Sequence, residues 1–125
     1  MGKNPMKKKL LVISRRAPYG TSLAREALDV TLAASVYDQD IGMLFMDDGV
    51  FQLIKNQNPE EITQKNLSAT LSALSLYGVD NIYAHKDSLE DRDLKINELI
   101  WDDIKILTSE DVKNLLDQQD HLLSF

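Results

Sequence analysis

The sequence predicts an α/β fold: a three-layer α/β/α arrangement with a mostly parallel five-stranded sheet. Three observations carry that expectation. Short continuous apolar runs, Leu10-Leu11-Val12-Ile13 foremost, read as strands buried on both faces. Segments with helical spacing and helix-capping residues separate them. The resulting order, β-α-β-α-β-loop-β-α-β, is the alternation that crossover connections turn into a parallel sheet covered on both sides.

Taken in order, Leu10 to Ile13 is the first strand, with lysines before it and Ser14-Arg15-Arg16 after. Ala17-Pro18-Tyr19-Gly20 is a turn by composition. Thr21 and Ser22 are placed to cap the helix that follows, and Glu26 suits its positive end. Ala24, Ala27, Leu28, Thr31, Leu32 and Ser35 share one narrow face of that helix, and small residues there allow close approach to a sheet. Ile41 to Met46 is the second strand, ended by Asp47-Asp48-Gly49, and Val50 to Ile54 fits one or two helical turns. Asn58-Pro59-Glu60-Glu61 is a helix start, with Asn as cap and Pro at the first position. Ile62, Leu67, Leu71 and Leu74 continue it as a stripe, and Gly78 supplies a left-handed stop. Asn81 to His85 is the third strand, and Lys86 to Lys95 is expected as a polar loop that can hold a helical turn. Ile104 to Leu107 is the fourth strand. Thr108 caps a last helix carrying Val112, Leu115 and Leu116, and His121 to Phe125 is the fifth strand.

A chain of 125 residues suits one domain, since a second core would leave each half marginal. Residues 6–125 are expected to form it, with residues 1–5 a disordered leader or an added remnant. There is no cysteine, which excludes disulfides and thiolate metal sites. No apolar stretch approaches the roughly 20 residues that span a bilayer, so a cytoplasmic protein is expected. The net charge of −6 opposes direct binding to a nucleic-acid backbone. Lys7-Lys8-Lys9 reads as a solvated strand entry.

In parallel sheets, functional groups collect in the loops at the carboxyl ends of the strands. The first such loop holds Arg15, Arg16, Gly20 and Thr21, which could hold an anion at a helix start, although an ordinary capped turn is the favoured reading. It lacks a phosphate-binding glycine signature. Asp47 and Asp48 read as a turn, with cation binding or acid–base work as the alternative. His121 has no sequence partner. His85 closes the third strand beside Asp87 and Ser88, yet sequence neighbours on an extended chain point apart, which disfavours a catalytic triad. Phe51, Leu53, Ile54 and Trp101 lie in or beside short segments; each fits a core, and as a set they suit a subunit interface. No metal or cofactor is expected.

Several of these stretches, in order, resemble the DsrE/DsrF-like family. They are Arg16-Ala17-Pro18-Tyr19-Gly20-Thr21 with Ala24 to Asp29, Asp47-Asp48-Gly49-Val50-Phe51-Gln52-Leu53, Leu76-Tyr77-Gly78, Ser88-Leu89 with Arg92, and the ending on Phe125. The likeness runs from about Lys8 to the end. It implies a cytoplasmic heterohexamer, a dimer of heterotrimers with TusB-like and TusD-like partner chains, that passes persulfide sulfur toward 2-thiolation of the tRNA wobble uridine. The resemblance further implies a sulfur-carrying cysteine at the end of the third strand of the TusD-like chain, where this sequence has His85. An imidazole cannot form a persulfide, because carriage needs a thiolate. The implied role is therefore that of a non-catalytic subunit. A small anion- or nucleotide-binding module is the alternative reading, and a hydrolase using His85, Asp87 and Ser88 is a third.

Overall fold

Five strands build the sheet: β1 (Lys9–Ser14), β2 (Asp40–Phe45), β3 (Asn81–His85), β4 (Lys105–Leu107) and β5 (His121–Ser124). They stand in the order β4-β3-β2-β1-β5 and every pairing is parallel. The computed structural model describes residues 8–37, 40–55 and 69–125. Residues 1–5 and the expected helix start at Asn58, with Ile62 and Leu67, lie outside them.

The strand order dictates the layers. From β1 to β4 the chain steps one place at a time in one direction, so right-handed crossovers put all three connections on the same face. That face carries α1 (Leu23–Ser35), the helical residues 69–73 with the 3-10 turn Leu74–Tyr77, and α2 (Lys86–Asp91). The connection from β4 runs back past the whole sheet to β5, and its helix α3 (Ser109–Asp117) covers the opposite face. Two clusters of buried side chains record this division. Val12, Ile41, Met43, Phe45, Ile82 and Ala84 pack with Ala27, Leu28, Leu71, Leu74 and Leu89. Leu11, Ile13 and Leu44 pack with Val112, with Leu115 and Leu116 at its edge.

Most elements agree with expectation, and three differ instructively. The helical turn that the Lys86 to Lys95 loop could hold is a six-residue helix, Lys86 to Asp91, whose one apolar residue, Leu89, anchors it in the core at 2% exposure. Asp47-Asp48-Gly49 does not merely end β2; it opens a 3-10 helix that runs to Leu53. Ser22 occupies the cap position of α1, but its backbone is already helical and its side chain reaches no helix amide. Thr21 Oγ1 instead accepts the Leu23 N–H at 3.3 Å. On α1, Ala24, Ala27, Leu28 and Thr31 are buried, whereas Leu32 and Ser35 are half-buried. Thr31 is tolerated inside because its hydroxyl donates to the Ala27 carbonyl at 2.8 Å.

The stops behave as the residues require. Gly78 ends the Leu74–Tyr77 turn at φ 82°. Thr108 accepts the Asp111 N–H through its hydroxyl while the Asp111 carboxylate accepts the Thr108 N–H, a reciprocal cap on α3.

Candidate functional site

The carboxyl ends of β1, β2 and β3 gather the three loops into one polar rim. Ser14 ends β1, Asp47 and Asp48 follow β2, and His85 ends β3 with Asp87, Ser88 and Arg92 in and after α2. Cross-links between the loops are specific. Arg15 Nε donates to Asp47 Oδ2 at 3.0 Å, and Arg92 Nε donates to Asp48 Oδ1 at 3.0 Å. Both pairs are partly exposed, so they orient the loops more than they stabilise the fold. Below them, buried Gln52 donates through Nε2 to Ser14 Oγ at 2.8 Å and to the Arg16 carbonyl at 2.9 Å. Its Oε1 is buried and has no hydrogen-bond partner among the described residues.

Asp47 takes a left-handed backbone, φ 51°, which is unusual for a residue with a side chain. Its N–H donates to Ser88 Oγ at 2.9 Å. Ser88 Oγ also lies 2.7 Å from His85 Nδ1, and His85 Nε2 lies 2.8 Å from Ser109 Oγ. Ser109 in turn donates to Asp87 Oδ2 at 2.9 Å. His85 precedes α2 directly, so helical spacing brings residues 85 and 88 together where an extended chain would separate them.

A serine hydroxyl against an imidazole has the outline of a nucleophile and its base. Ser88, however, is only 3% exposed, and its oxygen already holds an amide and the ring. A nucleophile must meet its substrate, so this geometry holds structure. No three of His, Asp and Glu converge as a metal shell among the described residues. Asp47 and Asp48 face separate arginines.

Of the expected anion loop, Arg15 and Arg16 line an open pocket of about 240 Å³ with Asp47, Asp48 and Phe125. Gly20 and Thr21 do not line it. Of the expected interface set, Leu53 is fully buried in the core, while Phe51, Ile54 and Trp101 are half-buried. His121 is exposed at the start of β5. Two residues of the rim, Gln52 and Ser109, take no site role from sequence. Gln52 carried a signal, a lone polar residue inside an apolar run; Ser109 carried none, because it reads as ordinary helix-start chemistry.

The family model described as "DsrE/DsrF-like family" matches residues 8–125. The chain belongs to the DsrE/DsrF-like family. A protein named TusC homolog from Pseudomonas aeruginosa is 40% identical over 119 residues, covering 95% of this chain and 99% of that one. The intracellular sulfur oxidation protein DsrF of Allochromatium vinosum is 39% identical over 131 residues, 94% of this chain and 96% of its own. A protein named TusC from Buchnera aphidicola is 38% identical over 118 residues, 94% of this chain and 99% of its own. Among solved structures, the ychN protein of E. coli superimposes with a TM-score of 0.78 at 24% identity, covering 96% of this chain and 100% of that one. At that identity the likeness speaks for the DsrE/DsrF-like fold alone, which matches the all-parallel, two-faced sheet described above.

Proposed function

We propose that this chain is a non-catalytic subunit of a TusBCD-like sulfur-relay complex. It stands with TusB-like and TusD-like chains in a cytoplasmic heterohexamer, a dimer of heterotrimers. The complex passes persulfide sulfur toward 2-thiolation of the tRNA wobble uridine. One observation carries the reading: a chain similar over nearly its whole length to proteins named TusC has no cysteine at all. Sulfur carriage needs a thiolate, and the rim where β3 ends offers an imidazole engaged at both nitrogens. The chain's contribution is then assembly, and the thiol comes from a partner. Phe51, Ile54 and Trp101, half-buried here, are the proposed interface residues.

Co-expression with the two similar small chains of the same source tests this directly. The expected result is one co-purifying complex of all three. A chain that elutes as a free monomer beside its co-expressed TusB-like and TusD-like neighbours would overturn the reading.

A further inference from the structure

The strand order creates one place where neighbouring strands send their chains to opposite faces. β3 leads into α2 on the α1 side, and the adjacent β4 leads into α3 on the other. In open α/β sheets such a divergence opens the crevice that receives ligands. In this chain it is bridged by the chain's own side chains: His85 from β3 meets Ser109 at the start of α3, and Ser109 meets Asp87 on α2.

For a neutral imidazole the donors along this bridge have one consistent assignment. The Asp47 amide can only donate, so Ser88 Oγ accepts from it. Ser109 gives its hydrogen to the Asp87 carboxylate, which leaves the Ser109 oxygen to accept from His85 Nε2. His85 Nε2 then carries the ring's hydrogen, and Nδ1 accepts from the Ser88 hydroxyl. Every link points the same way, from both ends of a neutral imidazole: Ser88 hydroxyl to Nδ1, and Nε2–H to Ser109 to Asp87. Reversing the ring's hydrogen would leave two acceptors, bare Nε2 and the Asp87 carboxylate, competing for the one Ser109 hydrogen, and would leave the Ser88 hydroxyl without its acceptor.

We infer that His85 is a latch: held as the neutral Nε2–H tautomer, it closes the crevice between β3 and β4 and couples the Asp47 turn to the start of α3. It is a positioning residue, and it acts on the rim through Ser88. Ser88 fixes the left-handed Asp47, and Asp47 and Asp48 in turn hold Arg15 and Arg92. Loosening α3 at Ser109 therefore propagates to a turn on the far side of β3, with which Ser109 shares no direct hydrogen bond.

Two-bond ¹H–¹⁵N spectra of the imidazole, read with amide exchange at Asp47, test the latch on the intact chain. The expected ring is Nε2–H with Nδ1 bare. Ser109→Ala keeps the Thr108 cap but removes the acceptor for Nε2–H. It is expected to shift the tautomer balance and speed exchange of the Asp47 amide by up to about tenfold, the equilibrium factor for one hydrogen bond. The Leu28 amide in α1 stays unchanged as the control for global loss of stability. Ser109→Thr, which keeps the hydroxyl, restores both. An Nδ1–H ring, or an Asp47 amide indifferent to Ser109→Ala, overturns the inference. Neither readout depends on which partners the chain has.

Discussion

At the scale of single residues, the rim depends on atoms that approach too closely to be exchanged. A Cβ added at Gly49 would lie 2.0 Å from the Ser14 carbonyl oxygen and 2.8 Å from its carbon, both backbone atoms that cannot swing aside. That carbonyl also accepts the Met46 N–H at 3.1 Å. Gly49→Ala must push the 3-10 turn off the end of β1, and we expect a loss of about 1–3 kcal/mol or more in urea denaturation. Tyr83 offers a second test. Burial foremost, and then the nearby Asp40 carboxylate, raise its phenol above the ordinary value of about 10. A raised value in the folded state means the folded chain keeps its proton longer than the unfolded one. The associated stability is whole below the unfolded value and is lost as pH rises through the folded one. In a spectrophotometric titration Tyr83 should ionise above the ordinary phenol value, and Tyr83→Phe should remove that late component.

At the scale of elements, helix ends do measurable work because each leaves backbone groups unpaired. Thr108 and Asp111 satisfy one another at the start of α3, the only helix among the described residues on its face of the sheet. Thr108→Ala is expected to cost about 1 kcal/mol. The cost should appear as faster exchange of the α3 amides before those of α1. α2 shows the opposite economy. It has six residues and one buried apolar side chain, yet it carries the buried Ser88 and sets the spacing that joins His85 to Asp47. A short polar helix of this kind has little apolar period to announce it, which is why Lys86 to Lys95 reads as a loop from sequence.

At the scale of the whole molecule, the two faces are unequally clothed. Among the described residues, helical segments of three connections cover one and α3 alone covers the other, in keeping with the return crossing from β4 to β5. The edge strand β5 leaves Leu122 at 47% and Leu123 at 40% exposure, an apolar edge that monomers usually protect. Assembly with partner chains is the reading that this exposure fits. If it holds, the chain in complex should resist thermal unfolding better than the chain alone, by an amount that grows with partner concentration. A melting temperature indifferent to excess partner would count against that assembly.

The sequence alone determined the layered α/β class, the five strands within a residue or two, the Thr108 cap of α3, and the absence of any cysteine. Those features rest on local patterns: apolar runs, capping residues, glycine stops and a residue count. Only the tertiary structure decided which loops share a rim. Arg15 and Asp47 are 32 residues apart, Arg92 and Asp48 are 44, and His85 and Ser109 are 24. Their meeting follows from strand order, which sets the loops side by side. Strand order is fixed by long-range packing that no short window of residues encodes. His85 is the clearest case. The sequence shows it only as a histidine closing a strand; in the fold it is bound at both nitrogens, bridging two helices.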